Sequence, residues 1–276
     1  MSAFVQLQHL LPQHLISRAT GALAASENPL VKGPLIRAFA SAYGVDMEQA
    51  KNPDLGSYRS FNDFFSRPLK TGARPIDARP GTVVSPADGA VSQAGVIEKG
   101  ELLQAKGVRY SLEGLAGECA GPEFEGGPFM TVYLSPKDYH RVHLPLAGRL
   151  VKPVAIPGKL FSVNTQTEGE VEGLFAINER LAMRFETDLG PMLVVMVGAL
   201  IVASIETVWN GSKSPYRQRQ VLDYDLPFRK GDEIGHFLLG SSVVMAFEQG
   251  RVELDPSLTA GAPLRMGEAI GVSTII

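Results

Sequence analysis

The 276-residue sequence has few of the features that define several large protein classes. Its single cysteine, Cys119, cannot form a disulfide within the chain, which fits a reducing compartment. The 26 basic and 29 acidic side chains nearly balance, so the net charge of −3 lacks the basic signature of a nucleic-acid-binding protein. The N-terminus has no basic region followed by a compact apolar core, which argues against a secretory signal.

Long hydrophobic runs are also missing. The most membrane-like run, residues 192–205, contains only 14 residues and includes Gly198 and Ser204. A helix that spans a bilayer needs roughly 20 apolar residues. The run is rich in valine and isoleucine, which predicts two buried strands or one long strand with a kink at the glycine.

Glycine and proline are abundant, at 29 and 19 residues, and they separate short apolar segments along most of the chain. These segments predict strands at residues 82–84, 129–134, 150–156, 181–185, 192–205 and 243–247. Helical patterns precede residue 70, as at residues 34–43 and 61–65. We predict an α+β fold, with N-terminal amphipathic helices over residues 1–58 and a mainly antiparallel β-sheet catalytic domain over residues 59–276.

The first 25 residues contain an apolar pattern with helical spacing. It is formed by Phe4, Leu7, Leu10, Leu11, Leu15 and Ile16. Pro12 predicts a break or a new helix start within it. Residues 1–45 carry three basic side chains and one acidic side chain, a balance that suits an anionic membrane surface. The same pattern is equally typical of a helix that packs on the rest of the protein.

Near the C-terminus, the run Leu239-Gly240-Ser241-Ser242 lies between apolar residues. Gly-Ser-Ser is most often a turn or a linker, but its apolar neighbours predict a place in or beside a strand. A serine after a conformationally permissive glycine can turn its hydroxyl toward the preceding carbonyl. If a base removes the hydroxyl proton, the chain can cut itself between Gly240 and Ser241.

Two of the five histidines, His140 and His143, fall in one short segment and are candidates for that base. Such a pair is also typical of a helical turn at the surface or of half a metal site, although no further ligand stands at a recognisable spacing. A histidine base usually has a carboxylate partner. Asp88 is the candidate, and its Asp-Gly sequence also predicts a turn.

Together, these motifs resemble the signature set of the phosphatidylserine decarboxylases. The matching segments are residues 61–69, 86–89, 138–143, 157–164, 205–209 and 239–242, in the family's order. They leave only the first few dozen residues weakly matched. The family usually has threonine where this chain has Ser242, and the neighbouring Ser241 is unaffected by that change.

The resemblance implies that the enzyme converts phosphatidylserine to phosphatidylethanolamine and CO2 through a Schiff base with a pyruvoyl group. That group would form from Ser241 by autocatalytic serinolysis, dividing the chain into residues 1–240 and 241–276. His143 would be the base for self-cleavage, with Asp88 as its partner. His140 would transfer protons during turnover. Neither a metal nor pyridoxal phosphate would be needed.

The resemblance also carries expectations about substrate and partners. Ser162 and Asn164 would hydrogen-bond the head group of the substrate. The two cleaved chains would remain together as a heterodimer and would form a homodimer of processed protomers. The lipid substrate favours the membrane interpretation of the N-terminal helices, which predicts a peripheral enzyme on an anionic phospholipid surface at the cytoplasmic face of the cell membrane.

Two other functions use the same residues. A serine hydrolase could act through Asp88, His143 and Ser241 on an external ester or peptide, although the chain has no Gly-x-Ser-x-Gly elbow around the serine. A non-catalytic, membrane-associated β module would leave the three side chains merely packed. Only the decarboxylase predicts two fragments under denaturing conditions.

Overall fold

The computed structural model describes residues 2–200, 205–209, 215–238 and 241–275. Within these residues, four α-helices lie in the first quarter of the chain, and three short α-helices follow later. The helices are α1 Ala3–Leu10, α2 Gln13–Ala24, α3 Pro29–Tyr43, α4 Phe61–Phe65, α5 Leu112–Ala116, α6 Thr165–Glu168 and α7 Leu174–Ile177. Pro12 is the N-cap of α2, so the predicted break between two helices is confirmed.

Strands account for most of the regular structure after α4. The first nine are β1 Thr82–Val84, β2 Gly89–Val96, β3 Glu101–Leu103, β4 Arg109–Ser111, β5 Pro128–Leu134, β6 Arg141–His143, β7 Gly148–Ile156, β8 Arg180–Thr187 and β9 Gly190–Val197. The others are β10 Ile205–Thr207, β11 Gln220–Val221, β12 Leu226–Phe228, β13 Glu233–Phe237, β14 Ser241–Phe247, β15 Val252–Leu254, β16 Pro263–Leu264 and β17 Ala269–Ser273.

The largest sheet has nine strands, eight of them in the order β11-β7-β8-β9-β14-β5-β2-β16, with β12 also paired to β7. Two three-stranded sheets have the orders β1-β17-β15 and β10-β13-β6, and β3 pairs with β4. Every strand pairing between these elements is antiparallel. The predicted α+β class is therefore confirmed.

The run at residues 192–205, predicted as two strands or one kinked strand, contains most of β9, which ends at Val197, and only the first residue of β10, Ile205. Residues 201–204 lie outside the described residues. Short strands such as β11, β15 and β16 were not predicted. They have only two or three residues each, too few for an apolar alternation to stand out.

Alternate side chains of the large sheet face opposite sides, as the pleat of a β-strand requires. We call the side that packs on the two three-stranded sheets the inner face. Its cluster includes Val243, Met245, Val142 and Phe237. The other side, the helix face, packs on α1, the β3–β4 pair and the segments around α5 to α7.

A third, mostly aromatic cluster joins α3 to α4. It contains Ile36, Tyr58, Phe61, Phe64 and Phe65, with Phe39 partly buried against them. The predicted boundary between residues 58 and 59 falls inside this cluster. The aromatic packing therefore holds α4 in place, and α4 covers the loop before β6.

Candidate active site

Ser241 is the first residue of β14, and its position follows from the strand register. It lies opposite Leu134 of β5, which belongs to the cluster on the inner face. Ser242 lies opposite Val197 of β9, a member of the helix-face cluster. The Ser241 side chain is therefore buried on the inner face, and its hydroxyl has no hydrogen-bond partner among the described residues. Leu239 and Gly240, which complete the predicted cleavage motif, lie outside the described residues.

The loop that follows β5 returns the chain to the same region. The Asp138 carboxylate accepts hydrogen bonds of 2.7 Å from both the backbone N–H and the hydroxyl of Ser135, which closes the turn. The backbone N–H of Phe237, at the end of β13, then donates to the carbonyl of His140 at 3.0 Å. His140 is thus bound to the strand whose continuation leads to Ser241.

His140 is fully buried, and its ring stacks on Phe65 of α4 with a centroid distance of 4.0 Å. Burial, and the nearby Arg67 guanidinium, lower the pKa of His140 to about 3. Backbone carbonyls of Pro136 and Ser135 offset only part of that effect. The imidazole is therefore neutral at physiological pH.

His143 is the last residue of β6, and both of its ring nitrogens have partners. Nδ1 lies 2.8 Å from the carbonyl oxygen of Gly231, and Nε2 lies 3.0 Å from the Tyr139 hydroxyl. A carbonyl can only accept, so Nδ1 carries the proton, and the Tyr139 hydroxyl donates to Nε2. Burial lowers the pKa of His143, which favours the neutral form. This tautomer leaves Nε2 as the basic nitrogen.

Asp88 directly precedes β2, and its carboxylate is held by two donors. The Arg74 guanidinium donates from Nε to Oδ1 at 2.7 Å, and the backbone N–H of Met266 donates to Oδ1 at 2.9 Å. A side chain at Gly89 would collide with the Tyr133 carbonyl, so only glycine lets β2 begin this close to β5.

The segments of Asp88 and His143 are adjacent, because the backbone N–H of His143 donates to the carbonyl of Pro86 at 2.8 Å. The two side chains are not hydrogen-bonded to each other. Arg74 binds the Asp88 carboxylate, and the Gly231 carbonyl fixes the tautomer of His143. Asp88 still acts through charge, and together with the larger effect of Glu233 it favours the protonated form of His143.

A polar pocket of about 240 Å³ opens beside these groups. Asp88, Tyr139, Arg67, Arg74 and Lys137 contribute to its lining. Arg67 is 3% exposed and donates to the Lys137 carbonyl at 2.9 Å, so it also supports the loop that carries His140. The lining thus combines three cationic side chains with three carboxylates, since Asp46 and Asp138 also line the pocket.

Two family models match this chain. The one described as phosphatidylserine decarboxylase matches residues 61–272, and a second, described as PSD, matches residues 3–44. The first covers more than half of the sequence and all of the β-rich region that contains Asp88, His143 and Ser241.

This chain belongs to the phosphatidylserine decarboxylase family.

Curated relatives agree over nearly the whole length. The phosphatidylserine decarboxylase proenzyme of Azotobacter vinelandii is 52% identical over 281 residues, covering 99% of this chain and 98% of the relative. That of Ectopseudomonas mendocina is 51% identical over 278 residues, covering 97% of each. The proenzyme of Acinetobacter baylyi is 48% identical over 273 residues, covering 98% of this chain and 95% of the relative. The family is a decarboxylase family, and these three relatives are named as proenzymes, that is, as precursors.

Ser162 and Asn164, the predicted head-group contacts of this family, lie in the segment between β7 and α6, on the helix face. Asn164 is the N-cap of α6, and its Oδ1 accepts from the Thr167 backbone N–H at 2.9 Å. The Ser162 backbone N–H donates to Gln8 of α1 at 2.8 Å. Both residues therefore have local structural roles, on the other side of the large sheet from the Ser241 side chain.

Several residues around the site were not predicted from the sequence. Tyr139 and Arg67 lie inside segments that match the family, but residue spacing alone could not assign a role to either of them. Arg74 and Gly231 had no signal, because their contacts depend on how distant segments fold together. Within the described parts of the chain, no group of three or more histidine, cysteine, aspartate or glutamate residues could hold a metal ion.

Proposed function

We propose that this protein converts phosphatidylserine to phosphatidylethanolamine and CO2 with a pyruvoyl group made from its own Ser241. The observation that carries the proposal is the register of β14, which buries the Ser241 hydroxyl on the inner face, the side that also carries β6 with His143. A serine nucleophile needs a nearby base, and our candidates are the two histidines of the loop and strand after β5, His140 and His143.

In the proposed self-cleavage, Ser241 Oγ attacks the carbonyl carbon of Gly240, and the Gly240–Ser241 C–N bond breaks to give an ester and a free amine. Loss of the Cα proton then breaks the ester C–O bond, which releases the Gly240 carboxylate and leaves dehydroalanine. Tautomerisation and addition of one water release ammonia. Residue 241 thereby becomes a pyruvoyl group at the start of a new chain.

His143 serves as the base in this scheme. Its neutral tautomer presents the Nε2 lone pair, and the Tyr139 hydroxyl that now donates to Nε2 must yield or relay the proton. Asp88 is its acidic partner and favours the imidazolium that forms. A buried base with a lowered pKa is unprotonated at neutral pH, as this role requires.

During turnover, the pyruvoyl group supplies a carbonyl that condenses with the substrate amine and accepts the electrons released as CO2 leaves. A side chain must accept the proton that the substrate ammonium gives up and later return one to the α-carbon. His140 is our candidate, because burial keeps its ring neutral and because its carbonyl is bound to β13 just before the cleavage site. General acid–base help of this kind contributes about 10²–10⁴ in rate.

The cleavage products, residues 1–240 and 241–276, would remain a heterodimer. β14 of the smaller chain lies between β5 and β9 of the larger one, and its seven residues are all buried. Separation would expose this central strand, so cutting the chain does not release it. We further propose that two processed protomers form a homodimer.

The membrane role of the N-terminal helices is part of the same proposal. Phe4 is 43% exposed, Leu7 54% and Leu15 64%, so the apolar side chains of α1 and α2 are available to a lipid surface. Within the described parts of the chain, none of the helices combines the length and apolar character needed to span a bilayer. We propose peripheral attachment to anionic phospholipid at the cytoplasmic face of the cell membrane.

The serine hydrolase alternative fits the site less well. A hydrolase acting on an external substrate needs an accessible nucleophile, whereas the Ser241 side chain is completely buried. Self-cleavage needs no external access, since the attacked carbonyl belongs to the preceding residue.

Denaturing mass spectrometry of purified protein tests the proposal. The wild type should give two fragments, and Ser241→Ala should stay a single uncut chain without decarboxylase activity, because alanine has no oxygen with which to attack. Ser242→Ala is the matched control, since it removes an equally buried hydroxyl from the helix face. Two fragments from Ser241→Ala would overturn the pyruvoyl assignment.

A further inference from the structure

Arg67, which follows α4, is a buried cation with hydrogen-bond donors that no described residue uses. It is 3% exposed, and it takes part in none of the ion pairs found among the described residues. Its Nη2 donates to the carbonyls of Lys137 and Asp138 at 2.9 and 3.4 Å. Its Nε and Nη1 have no hydrogen-bond partner in the described chain. Most of the N–H groups of this guanidinium are therefore unsatisfied.

A second buried arginine shows what a purely structural guanidinium needs. Arg180 is 4% exposed, and it too has no carboxylate partner within the described ranges. Its three nitrogens donate to three backbone carbonyls, those of Leu115, Asn178 and Gly114. A buried donor without an acceptor costs free energy, and more so when it is charged. The unused nitrogens of Arg67 therefore indicate an acceptor that comes from outside the chain.

Such an acceptor would reach Arg67 from the polar pocket of about 240 Å³ that this side chain helps to line. Tyr139 lines the same pocket, and its hydroxyl bonds to Nε2 of His143. Arg67 also lies near His140, because its charge is the main cause, after burial, of the lowered pKa of that ring. The pocket is therefore adjacent to both histidines of the proposed mechanism, on the same side of the large sheet as the Ser241 side chain.

The carboxylates that line this pocket do not supply the missing acceptor. Burial lowers the pKa of Arg67, and their charges offset only part of that effect. Each of them accepts hydrogen bonds from other groups: Asp88 from Arg74, Asp138 from Ser135, and Asp46 from Gln49. The formal charges of the pocket are balanced, but its hydrogen bonds are not, since the carboxylates have donors and Arg67 lacks acceptors. An anion with free oxygens would complete the site.

We propose that Arg67 binds the phosphodiester group of the substrate. This inference rests on the proposed function, which supplies a head group with two anions, a phosphate and a carboxylate. The carboxylate leaves as uncharged CO2, so a cation held against it would stabilise the substrate more than the transition state and would slow the reaction. The phosphate keeps its charge throughout, and the guanidinium fork matches the spacing of its oxygens. Arg67 therefore contributes affinity and selects substrates that carry a phosphate.

The size of the pocket suits a head group rather than a whole lipid. Its volume of about 240 Å³ lies below the range of about 300–1,000 Å³ that is usual for drug-sized ligands. The acyl chains thus stay outside it. Nε and Nη1 of Arg67 are closed off from solvent in the uncut chain, so the side chain turns into the pocket when the phosphate binds. Lys137 is exposed in the same lining and offers a second cation.

The test uses Arg67→Met in the full-length, self-cleaved enzyme. Methionine keeps an unbranched apolar side chain but donates no hydrogen bond. Arg67→Lys keeps the charge without the fork. Arg59→Met is the matched control, because Arg59 lies just before α4 and its side chain is 79% exposed. The quantities measured are the cleaved fraction, kcat and KM on dispersed short-chain phosphatidylserine, and competitive inhibition by inorganic phosphate and by acetate.

Arg67→Met should be cleaved like the wild type, and its KM should rise by about tenfold to a hundredfold, the range for a lost hydrogen bond to a charged group. Its kcat should be unchanged, because the interaction is the same in the substrate and the transition state. Inhibition by inorganic phosphate should be lost. Arg67→Lys should lie between Arg67→Met and the wild type, Lys137→Met should raise KM less, and Arg59→Met should match the wild type.

Wild-type KM and unchanged phosphate inhibition in Arg67→Met would overturn the proposal. If that variant fails to fold, the same result in both Arg67→Lys and Lys137→Met would do so. A lower kcat with an unchanged KM would contradict it, since Arg67 would then act through His140. Loss of inhibition by acetate, with phosphate inhibition retained, would assign Arg67 to the carboxylate instead.

A failure of the underlying function has a different appearance, because the wild type itself would then neither be cleaved nor release CO2. The phosphate site is still measurable in that case. Inorganic phosphate should raise the Tm of the wild-type chain, because a ligand that binds only the folded state stabilises it. The same addition should leave the Tm of Arg67→Met unchanged, and an equal rise in both proteins would contradict the assignment of Arg67.

Discussion

The two faces of the nine-stranded sheet differ in what they bury and in what they leave exposed. On the inner face, Ser241, His140 and His143 are enclosed by strands and by α4, and polar atoms of the site are removed from solvent. On the helix face, amide side chains attach α1 and α2 through hydrogen bonds, and leucine side chains remain exposed.

This difference separates two requirements of the proposed enzyme. Self-cleavage needs a rigid, water-poor interior in which a hydroxyl, a base and a carbonyl stay aligned. Access to a substrate whose acyl chains stay in a bilayer needs an apolar surface that nothing else covers. Ser241 and Ser242 are adjacent in β14 and point to opposite sides of the sheet, so the register of this strand decides which hydroxyl reaches the inner face.

The largest expected effect tests the inner face and concerns the proposed base for self-cleavage. His143→Ala and Asp88→Asn should slow self-cleavage by about 10²–10⁴, the range for loss of general base catalysis. His140→Ala should still be cleaved but should turn over slowly. Gel analysis of freshly expressed protein over time measures the first effect, and CO2 release by cleaved protein measures the second. Normal maturation of His143→Ala would refute the assignment of the base.

A smaller effect is expected on the helix face. Replacing Leu7, Leu11 and Leu15 by serine should weaken binding to anionic vesicles at least tenfold, because each CH2 buried in lipid contributes about 0.8 kcal/mol. Turnover of long-chain phosphatidylserine should fall with it, whereas turnover of a dispersed short-chain substrate should change little. Co-sedimentation measures the first quantity, and unchanged binding would place the membrane contact elsewhere on the molecule.

A third effect, on stability, separates the two faces by their response to pH. Burial lowers the pKa of His140 to about 3, so below the ordinary value near 6.5 the unfolded chain binds a proton that the folded chain does not. Its contribution to the free energy of unfolding is complete above pH 6.5 and should decrease by about 1.4 kcal/mol per pH unit as the pH falls toward 4.5. Urea unfolding of the uncut Ser241→Ala chain, with and without His140→Ala, measures the difference in slope.

Glu168 on the helix face should respond in the opposite sense. Burial raises the pKa of its carboxyl, although a hydrogen bond from Ser92 works against it, so the folded chain retains a proton that the unfolded chain loses. Stability from this group is present below its unfolded pKa and is lost as the pH rises through the folded value. Glu168→Gln should remove that loss of stability. Equal slopes of the unfolding free energy against pH in His140→Ala, Glu168→Gln and the uncut Ser241→Ala parent would contradict both predictions.

Local patterns were sufficient wherever neighbouring residues control the structure. The break at Pro12 follows from the missing N–H of proline, and the strands β5, β7 and β8 follow from long apolar segments between turn residues. Asp88 and the two histidines were found as candidates because the sequence keeps them in short recognisable motifs. The resemblance to a family then supplied roles that spacing alone left open.

Tertiary structure decided the rest. The sequence predicts an amphipathic pair of N-terminal helices, but only the folded chain determines that Gln8 and Gln13 face inward, because their partners are backbone N–H groups about 150 residues away. In the same way, Arg74 rather than a histidine holds Asp88, and Gly231 sets the tautomer of His143. Backbone donors and acceptors are present at almost every position, so the sequence cannot indicate which of them a side chain will meet. The packing of distant segments against one another makes that choice.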